Sequence, residues 1–307
     1  MAGTDKIYKM ITDQIIASLE ADIVPWHKPW AATGSPQNAI TKREYTGINR
    51  ILLQASKFVD SRWISYKQAA AKGGNVRKGE KSTAITWWGK VTNHDKQSCP
   101  GRKACEAMET GTNCKRFKML RYYRVFNVEQ CDGLDLEPLA IGETPEPIAI
   151  HTEAQRVLDE YISREDGLAL EHGCEGGCGD PGGAHYIPSL DIIHLPKRDT
   201  FKTMEGYYST AFHEAGHSTG KKDRCDRKDW TGSYTMHSGG RSREELVAEF
   251  TSAFVSEATG LDNTLEAGQH AAYVKSWLKH LKANPKWAVE AAGYAQKAAN
   301  RILNVNV

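Results

Sequence analysis

Long hydrophobic runs are missing from this sequence: nothing approaches the roughly 20 consecutive apolar residues needed to span a bilayer. An apolar leader is missing too. Met1 to Asp13 is charged instead, so export is not expected and a cytoplasmic protein is. Tight Cys-x-x-Cys pairs, the usual core of a structural zinc site, do not occur. Cys99, Cys105 and Cys114 lie near one another and near His94, at a spacing that matches none of the common zinc patterns. Seven cysteines are an odd number, and without export a disulfide framework is not expected. Cys174 and Cys178 fall in the Gly-rich run Gly173–Gly183, which reads as a surface loop. Internal repeats and low-complexity blocks are absent.

What remains is an ordinary globular composition, 40% apolar and 25% charged, over 307 residues, enough for two domains. The net charge of +2 conceals an asymmetry. Residues 1–135 hold 22 Lys and Arg against 13 Asp and Glu, whereas the rest hold 18 against 25. A basic unit favours a polyanion, of which nucleic acid is the commonest.

Residues 5–22 carry Ile7, Met10, Ile11, Ile15 and Leu19 at helical spacing. Pro25-Trp26-His27-Lys28-Pro29-Trp30 follows, and its prolines predict an extended segment displaying two tryptophans. Helices are expected over Thr46–Lys57 and Ser65–Lys72. Strands over Ser82–Trp88 and Leu120–Val128 would form a hairpin with a long polar tip. Residues 141–149, rich in Pro and Glu, read as a linker between a domain at 1–140 and one at 150–307. The second opens with a helix over 151–164, has a strand over Tyr186–Leu195, and continues with helices at Thr203–Gly220, Glu244–Thr259, Gln269–Leu281 and Lys286–Leu303. The fold class is α+β, with a mainly helical second domain.

The chemistry concentrates in His213-Glu214-Ala215-Gly216-His217. Histidines at i and i+4 share one helix face, about 5–6 Å apart at Cβ, so both imidazoles reach one ion. Tyr207, Tyr208 and Phe212 give the segment an apolar face, and Gly220 supplies a stop. Zn2+ held by three protein ligands keeps a fourth position open and acidifies water toward a pKa near 7. Glu214 would take the water's proton and pass it to the leaving amine of a peptide. For the third ligand there are two candidates. Asp223 extends the pattern H-E-x-x-H-x-x-G-x-x-D. Glu245 sits on an apolar-faced helix, and its neighbour Glu249, four residues on, could orient a histidine from behind. Spacing and two-helix geometry favour Glu245.

The chain resembles the ArdC-type antirestriction proteins of conjugative plasmids and phages over nearly its whole length. The resemblance rests on Pro25–Trp30, Tyr45–Asn49, Val76–Lys81 and Tyr123–Cys131 in the first half, and on Tyr208–His217 and Glu244–Glu249 in the second. It implies an N-terminal single-stranded-DNA-binding domain, a zincin-like metallopeptidase domain, and Glu245 as third ligand. Cys99–Cys114 and Cys174–Gly183 look like insertions relative to that family, and Lys221–Cys225 replaces its usual basic-apolar-basic segment.

The basic half also holds five of the eight tryptophans. Single strands are typically held by aromatic stacking in a basic groove. Trp26 and Trp30, between prolines, are the expected exposed stackers, whereas Trp87 and Trp88, on a strand, are expected in the core. Lys42, Arg43, Arg77, Lys78 and Lys81 are the expected phosphate contacts. Two functions follow. One is a monomeric zinc peptidase brought to an unknown protein substrate by single-stranded DNA. The other is a non-catalytic protein that shields incoming DNA and keeps its metal for structure.

Overall fold

The computed structural model describes residues 2–21, 23–26, 34–56, 58–93, 115–137, 147–173, 183–227, 239–262 and 271–305. Trp30, the five cysteines from Cys99 to Cys178 apart from Cys131, and most of the expected linker lie outside them.

Helix α1 (Ala2–Glu20) buries Tyr8, Ile11, Ile15 and Leu19, a stripe at helical spacing. After it come β1 (Gln37–Asn38), α2 (Ile48–Gln54), β2 (Arg62–Ile64), α3 (Tyr66–Ala71) and β3 (Asn75–Val76). The start of α3 is local chemistry. Ser65 accepts from the Gln68 backbone N–H while the Gln68 side chain reaches back to the Ser65 N–H, a capping box. Strands β4 (Thr83–Asn93) and β5 (Lys115–Asn127) pair antiparallel from Thr83↔Val125 to Asn93↔Lys115. They complete a sheet of order β1-β2-β5-β4, beside which β6 (Cys131–Asp132) pairs with β3.

The second half contains α4 (Pro147–Arg164), β7 (Ala169–His172), β8 (His185–Ile187), β9 (Ile192–Leu195), α5 (Met204–Ser218), α6 (Gly239–Thr259), α7 (Ala271–Ala283) and α8 (Trp287–Ile302). Its sheet has the order β7-β9-β8, with β7 parallel and β8 antiparallel to β9. The single strand expected over Tyr186–Leu195 is therefore two, because Pro188 has no N–H for a ladder and Asp191 turns the chain at φ +58°. Helix α4 begins at Pro147, inside the expected linker, with proline as its first residue.

The two halves share one core. Ile11, Ile15 and Leu19 of α1, Ile51 and Leu52 of α2, and Leu120 of β5 belong to the same buried cluster as Tyr207, Phe212, Phe250 and Ala292. Trp26 belongs to it too. It is 3% exposed and sits edge-on to Phe250 at 4.8 Å and to Trp277 at 5.2 Å. The expectation that Trp26 is displayed for base stacking is thus overturned: its indole has a place among apolar rings of the second half, where burial of its large area outweighs the bend at Pro25. Polar ties accompany this packing. Arg50 of α2 pairs with Glu257 of α6 at 2.6 Å and lies over the Phe254 ring. The α1 residue Thr12 donates to the Pro285 carbonyl. Among the described residues no helix is long and apolar enough to cross a membrane.

Candidate metal centre

His213 and His217 stand one turn apart on α5, and Glu245 reaches them from α6. Their facing atoms close a small triangle. His213 Nε2 lies 3.2 Å from His217 Nε2. Glu245 Oε2 is 3.3 Å from the first and 3.5 Å from the second. Corners of a tetrahedron around zinc, with bonds of about 2.0–2.1 Å, stand roughly 3.3–3.4 Å apart. The residues present thus fit such an ion in donor chemistry and in size. Among the described residues no other trio of His, Cys, Asp or Glu converges in this way. Asp223 does not join the triangle. Its side chain is 59% exposed and lies 3.7 Å from Lys221.

The helices meet here because of Gly216. A Cβ on it would stand 3.2 Å from Ala248 Cα and 3.2 Å from Thr251 Cβ, so only glycine lets α5 and α6 approach this closely without displacement. That approach puts Glu245, three residues before Ala248, within reach of the histidines.

Each imidazole is backed by a carboxylate on its other nitrogen. Glu249 lies 3.5 Å from His213 Nδ1, as its spacing from Glu245 suggested, and Glu244 lies 3.4 Å from His217 Nδ1. Such partners fix ring orientation and raise ligand basicity. Glu244 is held in turn by buried Arg227, whose Nε donates to it at 3.0 Å. The same guanidinium donates to Thr219 Oγ1 at 2.6 Å and to the Gly216 carbonyl at 2.9 Å, closing the end of α5. Glu244 and Arg227 were not legible in the sequence, because the contact depends on where the chain returns after Gly220.

Electrostatics reflect the crowding. Burial opposes charge on His213, but the bond to Glu245 and the charge of Glu249 outweigh it, so its pKa is raised. For His217 burial is likewise outweighed, by Glu245 and Glu244, and its pKa is raised as well. Burial would push the Glu245 carboxyl up, yet the two imidazoles hold it well below the usual carboxylate range. Glu214 is 7% exposed, and its charge helps raise both histidines. With neutral imidazoles the site is a concentration of negative charge suited to a cation.

Past the end of α5, Asp191 accepts from Arg224 at 2.7 Å, Lys221 at 2.6 Å and Tyr186 at 2.7 Å, fastening the β8–β9 turn to the chain that follows that helix. Arg224 also meets Glu165, which Arg301 pairs at 2.7 Å.

The residues expected to contact nucleic acid are placed differently from one another. Lys42, Arg43, Lys78 and Lys81 are exposed. Arg77 is tied to Glu80 at 3.1 Å and Asp132 at 3.3 Å, so part of its charge is already answered. The expectation for the strand tryptophans is also corrected. Trp87 and Trp88 are each 50% exposed, with Tyr122 at 44% and Tyr123 at 51%, while Trp63 is buried. The missed signal was adjacency: neighbours on a strand face opposite sides, so two consecutive tryptophans cannot both point into one core. The Trp87 indole lies over Gly89, where a Cβ would overlap its Cζ3 and Cη2 atoms, and Tyr123 stands 6.2 Å away.

Comparison with known proteins places this arrangement. Residues 5–126 match the family model of the N-terminal domain of anti-restriction factor ArdC. Residues 172–294 match that of a zincin-like metallopeptidase. The metal-free crystal structure of the antirestriction ArdC protein from plasmid R388 is similar, with a TM-score of 0.71 at 32% identity, covering 98% of this chain and 99% of that one. Its Mn(II)-bound structure gives a TM-score of 0.68 at 31% identity, over 97% of each chain. An Escherichia coli DNA primase TraC is 37% identical over 305 residues, which are 96% of this chain and 20% of the primase. The uncharacterized protein y4eC of Sinorhizobium fredii is 31% identical over 96% of this chain and 90% of its own length. A second Escherichia coli TraC primase is matched over 27% of its length, so the chain spans only a fifth to about a quarter of these primases.

Proposed function

Since the chain belongs to the ArdC antirestriction family, we propose that it protects the DNA of a mobile element by binding single strands and by acting as a metal-dependent peptidase. The observation that carries the peptidase reading is the His213–His217–Glu245 triangle with Glu214 buried beside it. Zn2+ is the ion the two imidazoles and one carboxylate favour, and Mn(II) is the alternative suggested by the R388 relative. Bound there, a divalent cation supplies Lewis-acid polarisation of a carbonyl and acidifies water. Glu214 accepts the proton released by the attacking water and returns it to the leaving amine, which is what lets the C–N bond break. Glu244 and Glu249 hold the two rings so that Nε2 of each faces the centre.

The single-strand reading is supported by the half-exposed aromatics of β4 and β5, above all the Trp87 indole lying over Gly89. Lys118, Arg121 and Arg124 are exposed on β5 beside them, so affinity falls steeply with salt.

The test compares wild type with Glu214→Gln on denatured and DNA-bound proteins, with and without single-stranded DNA, after Zn2+ or Mn2+ loading. Wild type cuts, and the variant, though it binds the same metal, loses about 10²–10⁴-fold of the activity. If neither cuts while both protect DNA equally, the shielding reading replaces the peptidase.

A further inference from the structure

The aromatic ribbon has two working faces. Register decides which side chains share a side. Ile85 opposes Tyr123 and Trp87 opposes Arg121, so Trp87, Tyr123 and Arg121 occupy one face. Thr86 opposes Tyr122 and Trp88 opposes Leu120, so Trp88 and Tyr122 occupy the other, with Lys118 and Arg124. Each face thus shows a Trp and a Tyr that are between 44% and 51% exposed. Each also has its own cation. The two strands together contain six Lys and Arg and no Asp or Glu.

A protein that laid one strand along one side would need one such face, with polar side chains on the reverse. Half-exposed large aromatics on both sides of a ribbon are costly in water unless both are covered by a ligand. The sheet's edge is also closed from behind. Asn49 of α2 donates to the Thr86 carbonyl at 2.7 Å and accepts from the Thr86 N–H at 2.7 Å, as a neighbouring strand would. Asn49 thus occupies the edge of β4 at Thr86, just before the two tryptophans, and on the Trp88 face the shared core reaches as far as buried Leu120, beside which Trp88 and Tyr122 remain half exposed.

We propose that the β4–β5 ribbon binds two single strands at once, one on each face, and so recognises the splayed end of a partly unwound duplex. The inference rests on the reading of these aromatics as a single-strand site and goes beyond it in the number of strands and the form of the DNA. Bases of one arm stack on Trp87 and Tyr123, bases of the other on Trp88 and Tyr122, and the duplex begins where the arms rejoin.

The test uses the full-length chain and fluorescence anisotropy with labelled DNAs: a single strand, a blunt duplex, a duplex with one single-stranded arm and a duplex with two unpaired arms. The two-armed DNA binds about tenfold or more tighter than the one-armed DNA, since the second arm adds stacked bases to those of the first. The double substitution Trp87→Ala with Tyr123→Ala, and separately Trp88→Ala with Tyr122→Ala, each abolish that advantage. Trp88→Phe with Tyr122→Phe retains it, which separates loss of stacking from loss of fold. Equal affinity for one and two arms overturns the two-strand inference and leaves the single-strand reading standing. So does an advantage untouched by the Trp88 and Tyr122 changes. Blunt duplex bound as tightly as the two-armed DNA overturns it as well. Absence of binding to every DNA overturns both.

Discussion

Gly216→Ala acts on a contact that sets how near α5 and α6 come at the metal triangle. The new methyl would stand 3.2 Å from Ala248 Cα and 3.2 Å from Thr251 Cβ, so α6 must give way by a few tenths of an ångström. Two effects then compete in the metal-free protein. Replacing glycine inside a helix gains about 0.5–1 kcal/mol, and overpacking an interhelical contact costs about 1–3 kcal/mol. The net expectation is a loss of roughly 0–2.5 kcal/mol in urea denaturation of the apo protein. The metal site suffers more. Glu245 lies on the same segment of α6, and its 3.3 and 3.5 Å approaches to the histidines lengthen with the displacement. Zinc affinity, measured by competition with a chromophoric chelator, falls about 10–100-fold, the range for changes that disturb ligand orientation. Unchanged zinc affinity together with a more stable apo protein would refute the reasoning, because it would mean that the helices do not need glycine to meet.

Arg227→Met removes the guanidinium that holds Glu244 behind His217, and zinc affinity drops about 10-fold or more in the same competition assay. At Asp191 burial would raise the carboxyl pKa, but bonds from Arg224, Lys221 and Tyr186 more than offset it, and the net shift is downward. That stabilisation is fully present above the ordinary Asp value near 3.8 and is lost as pH falls through the lower folded value. Asp191→Asn therefore removes stability at neutral pH and flattens the acid limb of a stability-versus-pH curve. Gly89→Val forces the Trp87 indole off the ribbon, and single-strand affinity by anisotropy falls about 5–100-fold if one stacked base is lost.

The clearest local signals survived into the structure. Apolar spacing located α1, the short helix expected over Ser65–Lys72 is α3, and the i, i+4 histidines located α5 and two corners of the metal triangle. These features are settled within a few residues, by hydrogen bonding and side-chain reach along one element. The reading of Glu245 over Asp223 was also available beforehand, since an apolar-faced helix must turn some side chains inward.

Exposure was not available in that way. Trp26 lies beside prolines and is buried, whereas Trp87 and Trp88 lie on a strand and are half exposed. A tryptophan's local surroundings are the same whether another element covers it or not, and the covering elements come from distant parts of the chain: Phe250 and Trp277 close over Trp26. The same holds for Glu244, Arg227 and Gly216, whose roles exist only where α5, α6 and the return after Gly220 meet. Sequence by itself determined the helices to within a few residues, the charge division and the histidine pair. Tertiary packing decided which carboxylates face that pair and which aromatics face solvent, because burial is a property of a place in the fold and not of a residue's neighbours in the chain.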